Sequence, residues 1–314
     1  MPIKILFMGS PDFSLPTLKA LDEKFQVIGV VTQPDRKSGR GRRVSPPPVK
    51  RSALKLGLPV YQPTSPNQPD FLKQLAELGP ELIVVAAYGQ ILNQTVLSLP
   101  ERGCLNVHAS LLPRWRGASP INAAILHGDD QSGVTIMKMD AGLDTGPILA
   151  QRSTPITDQD TGGTLFNRLA RMGADLLVET IPAYLRGEVK PRPQDDSRAT
   201  YAPLLSRSDG ELDFNQSAQQ LERQVRAYHP WPGSFTFWEN QRLIVHQTRA
   251  VNVTSPGAGV LITYEGYPAV GAGKGILVLE EIQPAGKKPM AGDAFLRGAQ
   301  DWDKGKITTQ KEST

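Results

Sequence analysis

In the run Leu105-Asn106-Val107-His108-Ala109-Ser110, polar side chains alternate with apolar ones, so an extended chain projects Asn106, His108 and Ser110 from one side. Leu111-Leu112-Pro113 then stops the strand, and Arg114-Trp115-Arg116-Gly117 reads as a loop leading to a helix near Pro120. Taken alone, such a pair is more often a hydrogen-bonded core histidine and a turn-satisfying asparagine. A second segment changes the balance: Met139-Asp140-Ala141-Gly142-Leu143-Asp144-Thr145-Gly146-Pro147 is a glycine-rich loop directly after another strand. It offers carboxylates where a histidine needs one, Asp140 suiting a turn and Asp144, between Gly142 and Gly146, suiting a reacting group. These groups fit acyl transfer to an amine. The amine attacks as the neutral species, and the oxyanion it creates is stabilised by an asparagine amide or an imidazolium in a dry site. A neighbouring carboxylate fixes the tautomer of the imidazole and stabilises its charged form. No covalent enzyme intermediate is required, in keeping with the absence of Gly-x-Ser-x-Gly and of a cysteine placed as a nucleophile.

Positioning these groups calls for strands that end at a common edge. Residues 3–8, 26–32 and 81–87 are short runs rich in Ile and Val, with helix-like stretches at 15–21 and 70–78 between them. Strand–helix–strand alternation predicts an α/β domain with a doubly wound, Rossmann-like parallel sheet, whose ligands bind beyond the carboxyl ends of the strands. Residues 104–108 and 134–139 would add strands, and an amphipathic helix over 163–185 closes a catalytic domain of residues 1–188. Residues 189–206 have few apolar side chains and read as a linker. Residues 207–314 begin with one helix candidate at 217–228 and continue as short strands, which predicts a smaller, OB-like β-barrel.

Composition narrows the function classes. With 314 residues, 39% hydrophobic and 21% charged, the chain is expected to form two soluble domains. Its start runs straight into an apolar strand, and no stretch approaches the ~20 apolar residues of a membrane span, so a cytoplasmic monomer without membrane contact is expected. The single cysteine, Cys104, excludes an intrachain disulfide and a multi-cysteine zinc site, and reads as a small core residue. A dinucleotide-dependent oxidoreductase should show Gly-x-Gly-x-x-Gly after the first strand, where this chain has Gly9-Ser10-Pro11-Asp12-Phe13.

Taken jointly, Asn106-x-His108-x-Ser110-Leu111-Leu112-Pro113, Arg114-x-Arg116-Gly117 and Gly142-Leu143-Asp144-Thr145-Gly146 resemble the signature of the folate-dependent formyltransferases. Over its whole length the chain is similar to the members acting on methionyl-tRNA, including Gly9-Ser10-Pro11-Asp12-Phe13, Ala87-Tyr88-Gly89-Gln90-Ile91-Leu92 and Pro230-Trp231-Pro232-Gly233. The resemblance implies 10-formyltetrahydrofolate as donor, no metal, and the α-amine of initiator methionyl-tRNA as acceptor. It implies that Asn106 and His108 polarise the formyl carbonyl while Asp144 orients His108 and assists proton movement. Ser110, Leu111, Leu112 and Pro113 become folate contacts, and the backbone of Tyr88, Gly89, Gln90, Ile91 and Leu92 faces the pteridine.

The acceptor has a separate signal. Between Pro34 and Arg51, seven basic residues (Arg36, Lys37, Arg40, Arg42, Arg43, Lys50 and Arg51) face one acid, Asp35, in a chain whose net charge is only +4. A flexible loop of this kind after the second strand neutralises phosphates with counterion release, and its guanidinium groups stack on unpaired bases. Arg36, Lys37, Arg40, Arg42 and Arg43 are therefore the candidate tRNA contacts, and the loop resembles the inserted loop of the tRNA-directed members, with Arg40 as the matching arginine. From Ser206 to Thr314 there are 12 basic and 12 acidic residues, so the second domain is no general basic clamp. Formylation of an amino-sugar nucleotide, hydrolysis of the formyl folate, and a non-enzymatic RNA-binding role are the competing readings.

Overall fold

A computed structural model of the chain describes residues 2–38, 43–299, 301–305 and 307–308. Its contacts divide into two compact units, one of residues 1–120, 131–155 and 166–202, the other of residues 121–130, 156–165 and 203–314.

The first unit is built on a seven-stranded sheet in the order Ile148–Pro155, Gln131–Lys138, Cys104–His108, Leu82–Ala86, Lys4–Gly9, Gln26–Val31, Val60–Tyr61. The last five are parallel. Ile5 to Met8 and Leu82 to Ala86 are apolar and almost fully buried, as a parallel sheet covered on both faces requires. Each of the larger side chains among them contributes about 1.5–3 kcal/mol of burial. Helices Leu15–Lys24, Pro48–Lys55, Pro69–Leu78 and Gln94–Ser98 supply crossovers, and Gly162–Leu185 contributes the buried Leu169, Leu177 and Ile181. Gly173 lets this last helix approach the strand Cys104–His108: a Cβ there would lie 2.6 Å from a methyl of Val107.

One strand departs from the expected parallel direction. Gln131–Lys138 runs antiparallel to Cys104–His108, with His108 opposite Thr135 and Leu105 opposite Lys138, and Ile148–Pro155 runs antiparallel to it in turn. Burial gives parallel and antiparallel strands the same apolar pattern, so the reversal leaves no mark in the sequence; the short connection over residues 139–147 then turns Ile148–Pro155 back antiparallel to Gln131–Lys138 and so in the direction of the parallel strands. The segment expected as a linker is also bonded in place. Arg192 and Ile148 exchange backbone hydrogen bonds of 2.8 and 2.9 Å, and Tyr201–Ala202 pairs in parallel with Arg116–Gly117, which joins residues 189–202 to the first unit.

In the second unit, Ala218–Tyr228 begins with a capping box between Ser217 and Gln220 and packs Leu221 and Val225 into the core under a sheet. That sheet is antiparallel, in the order Leu261–Tyr264, Tyr267–Gly271, Ile276–Pro284, Gln241–Val251, Ser234–Trp238, Ile307–Thr308, with Met290–Ala291 beside Ile276–Pro284. No ladder joins the two end strands among the described residues, but the Ile307 N–H donates to Gly259 O at 3.4 Å, so the sheet curls toward the expected closure. Trp231 is 50% exposed. His246 meets Gln283 at 3.1 Å and the His229 ring at 6.3 Å, and His127 bonds Ala123 O of its own helix.

Candidate active site

Strand alternation places Asn106 and His108 on one side of Cys104–His108, and both are buried in the structure. His108 Nε2 lies 2.9 Å from Trp115 O. A carbonyl oxygen only accepts, so Nε2 carries the proton of this bond and Nδ1 is the ring atom left to exchange one. The Trp115 carbonyl is aimed by an uncommon backbone: its φ is +60°, its N–H donates to Thr200 Oγ1 at 2.9 Å, and Arg114 stacks 4.3 Å from the centre of its ring. Nδ1 faces Asp144 Oδ1 at 3.6 Å, with both side chains largely buried. That is beyond hydrogen-bond length, so the pair is an electrostatic one with Nδ1 open to a reacting group.

Asp144 arrives by an indirect route. Because Gln131–Lys138 is antiparallel, the loop after it begins beside Cys104, where the Met139 N–H donates to Cys104 O at 2.8 Å, and must return toward His108. Asp140 makes the first turn, its Oδ1 accepting from the Gly142 N–H at 3.1 Å and Thr145 Oγ1 at 2.6 Å. Asp144 has φ +53°, and Oδ2 of its carboxylate accepts from the Gly117 N–H at 2.8 Å. Its carbonyl and that of Gly146 both accept from Gln194 Nε2, at 2.8 and 2.7 Å. Gln194 Oε1 accepts in turn from Arg116 Nε and Nη2, at 3.1 and 2.8 Å. Arg116 is 2% exposed. Burial works against its charge, and hydrogen bonds to Asp196 and Tyr201 outweigh that, holding the guanidinium proton above its ordinary range.

The residues expected around the folate form two separate loops. Ser110 to Pro113 is a turn held by Thr135, whose hydroxyl donates to Ser110 O at 2.6 Å and accepts from the Leu112 N–H at 3.1 Å; Ser110 Oγ donates to Arg114 O at 2.6 Å. Leu112 is buried and Leu111 and Pro113 are half-buried. Beyond Leu82–Ala86, the carbonyls of Tyr88 and Gly89 accept from Gln33 Nε2 at 2.8 and 3.2 Å, and Ser10 Oγ donates to Tyr88 O at 3.2 Å, which stitches together the loops after three parallel strands. Gln90 reaches Thr64 O at 3.3 Å, Leu92 is buried, and Ile91 is 84% exposed. The Tyr88 phenol is buried without a hydrogen-bond partner, and desolvation pushes it up to about 12. Cys104 is likewise a core residue, its thiol pushed up to about 12 by burial.

The basic segment is a ribbon at its flanks, with Arg36–Ser38 antiparallel to Arg43–Ser45 and Arg36 opposite Ser45. Arg36 is exposed. Arg40 and Arg42 lie outside the described residues, as do the side chains of Lys37 and Arg43. At the root, Lys50 and Gln62 bond Asp35 at 2.9 and 2.7 Å, so Lys50 is committed internally; the hydrogen bonds from Gln62 and Lys50 hold this carboxyl below its ordinary range.

Sequence reasoning named Asn106, His108 and Asp144 as candidates but not the groups that hold the latter two: the Trp115 carbonyl, the Gly117 N–H, Thr200 and Gln194. Arg116-Gly117 had a motif signal, whereas Gln194 sits in Val-Lys-Pro-Arg-Pro-Gln-Asp-Asp, which shows only charge and proline.

Residues 3–181 match the formyl transferase family, and residues 204–300 match the formyl transferase C-terminal domain. The chain belongs to the formyl transferase family. As a formyl-transferring enzyme it has near full-length relatives: the methionyl-tRNA formyltransferase of Roseiflexus sp. (strain RS-1) is 47% identical over 302 residues, covering 95% of this chain and 93% of that one. The methionyl-tRNA formyltransferase of Chloroflexus aurantiacus (strain ATCC 29366 / DSM 635 / J-10-fl) is 47% identical over 300 residues, covering 94% and 97%. Among solved structures, WlaRD, a sugar 3N-formyl transferase crystallised in the presence of dTDP and 5-N-formyl-THF, shares the fold with TM-score 0.67 at 18% identity, covering 92% of this chain and all of that one. No described helix of this formyl transferase is long and apolar enough to cross a membrane.

Proposed function

We propose that the chain transfers the formyl group of 10-formyltetrahydrofolate to the α-amine of methionine on initiator methionyl-tRNA, in the cytoplasm where translation starts. The observation that carries the acceptor is the likeness at 47% identity, over 95% of the chain, to a relative of that activity. A folate donor is supported by the family and by the formyl folate present with the solved sugar formyl transferase.

The chemistry is assigned from this chain's own groups. The neutral amine attacks the formyl carbon, and the carbonyl oxygen gains negative charge. The Asn106 amide and a protonated His108 Nδ1 donate to that oxygen, while the buried Asp144 carboxylate, 3.6 Å from Nδ1, offsets the charge on the ring. With Nε2 committed to Trp115 O, the ring keeps one orientation throughout. The attacking amine loses a proton, the carbonyl re-forms from the oxyanion as the bond between the formyl carbon and the folate nitrogen breaks, and that nitrogen keeps the bonding pair and takes up a proton, with Asp144 assisting proton movement. Ser110, Leu111, Leu112 and Pro113 and the backbone of Tyr88, Gly89, Gln90, Ile91 and Leu92 are assigned to the donor, and Arg36, Lys37, Arg40, Arg42 and Arg43 to the tRNA.

The test is to incubate the protein with 10-formyltetrahydrofolate and charged initiator tRNA, with amino-sugar nucleotides and water as competing acceptors. Formylmethionine as the product is expected. Formylated amino sugar, or free formate alone, would replace the acceptor while keeping the chemistry.

A further inference from the structure

We propose that Gln194 is a positioning residue for formyl transfer, clamping the Asp144 loop so that its carboxylate faces His108, with Arg116 fixing the clamp. This rests on the assignment of Asp144 to catalysis.

Three observations carry it. First, the loop needs a clamp: Asp144 has a left-handed φ of +53°, a conformation that a side chain disfavours and that the surroundings must hold, and its loop starts at the far end of the strand that bears His108. Second, the Gln194 amide is fully engaged and has one orientation. Its nitrogen donates to Asp144 O and Gly146 O, and its oxygen accepts twice from Arg116. A flipped amide would set oxygen against two carbonyls and NH₂ against a guanidinium, so the buried cation selects the amide's sense. Third, both constraints on Asp144 originate at one point. Gly117, which holds the carboxylate, follows Arg116, which holds Gln194 and is itself bonded to Asp196 at 2.6 Å. Removing Gln194 leaves the carboxylate bonded to Gly117 while releasing the backbone behind it. The aim at Nδ1 then drifts, although no group that touches either substrate has been lost.

The test is Gln194→Met, which keeps the length of the side chain and deletes both the donors and the acceptor. We expect kcat to fall about tenfold to hundredfold, the range for a sub-ångström to 1 Å misplacement, with both KM values changed by less than about threefold. In an Asp144→Asn background the same substitution should cost no further turnover, because a group that acts through Asp144 has nothing left to act on. The limbs of the kcat–pH profile should also move in the single variant, which a merely structural contact would not cause. Should Gln194→Met fail to fold, Gln194→Glu replaces it: this variant keeps the contact to Arg116 but turns a carboxylate toward two carbonyls, and the same loss is expected. An equal loss from Gln194→Met in the wild-type and Asp144→Asn backgrounds overturns the positioning role. So does a kcat per folded molecule within about twofold of wild type with only a lower Tm. Near-wild-type turnover of Asp144→Asn by itself overturns the catalytic assignment instead, which separates the two failures.

Discussion

At the scale of single residues, His108 is held by two different kinds of partner. The Trp115 carbonyl decides which nitrogen bears the fixed proton, and Asp144 supplies charge at the other nitrogen. Under the proposed mechanism, substituting His108 or Asp144 should therefore damage turnover and spare binding. His108→Ala and Asp144→Ala are each expected to lower kcat by about 10²–10⁴-fold, the usual weight of a general acid–base group, while tRNA affinity stays unchanged in filter binding. Retention of near-wild-type formylation by both would remove the site assignment.

At the scale of elements, two predictions follow from how strands and loops are placed. The long helix lies against the catalytic strand through Gly173, where an added methyl would overlap Val107. Gly173→Ala gains helix propensity but should still destabilise by about 1–3 kcal/mol, because overpacking a filled core outweighs it; a higher urea midpoint would show that the helix can move away. The ribbon Arg36–Ser38 and Arg43–Ser45 leaves the sheet after Gln26–Val31. Neutralising Arg40, Arg42 and Arg43 together should weaken tRNA binding and flatten the dependence of log K on log salt by about 0.7–0.9 per lost phosphate contact. A triple variant with an unchanged slope would assign the acceptor contact elsewhere.

For the whole molecule, the buried acids predict an alkaline limit to stability. Tyr88 and Cys104 share one core cluster of the first unit, and desolvation raises them from 10.0 and 9.0 to about 12 each. Both are neutral when protonated. From about pH 9 for Cys104 and about pH 10 for Tyr88, up to about 12, the unfolded chain loses the proton that the folded chain keeps, so stability falls as pH rises, by at most about 1.4 kcal/mol per pH unit for each group. Well below pH 9 neither contributes a slope. Urea midpoints measured from pH 8 to 11 should decline, and Cys104→Ala should decline less steeply than wild type. Parallel curves would mean that the thiol ionises in the folded state.

Much of this protein is legible along the chain because it depends on local periodicity. The period of two over residues 105–110 places Asn106 and His108 on one side whatever the rest of the fold does, and the apolar runs and their spacing announce an α/β unit followed by a strand-rich one. The joint motif around Asn106, His108 and Asp144 names the chemistry. Direction and closure were not legible. The reversal of Gln131–Lys138 leaves no mark in a buried apolar pattern, and the segment 189–202 looks like a tether because it is held by backbone hydrogen bonds and by polar side chains such as Gln194 and Thr200, which an apolar pattern does not record. The meeting of Asp144 with Gly117 across 27 positions, and with Gln194 across 50, depends on the path of the whole sheet. The tertiary structure alone decides where a loop that begins at the wrong end of a strand delivers its carboxylate, because long-range closure is set by packing and not by the residues it joins.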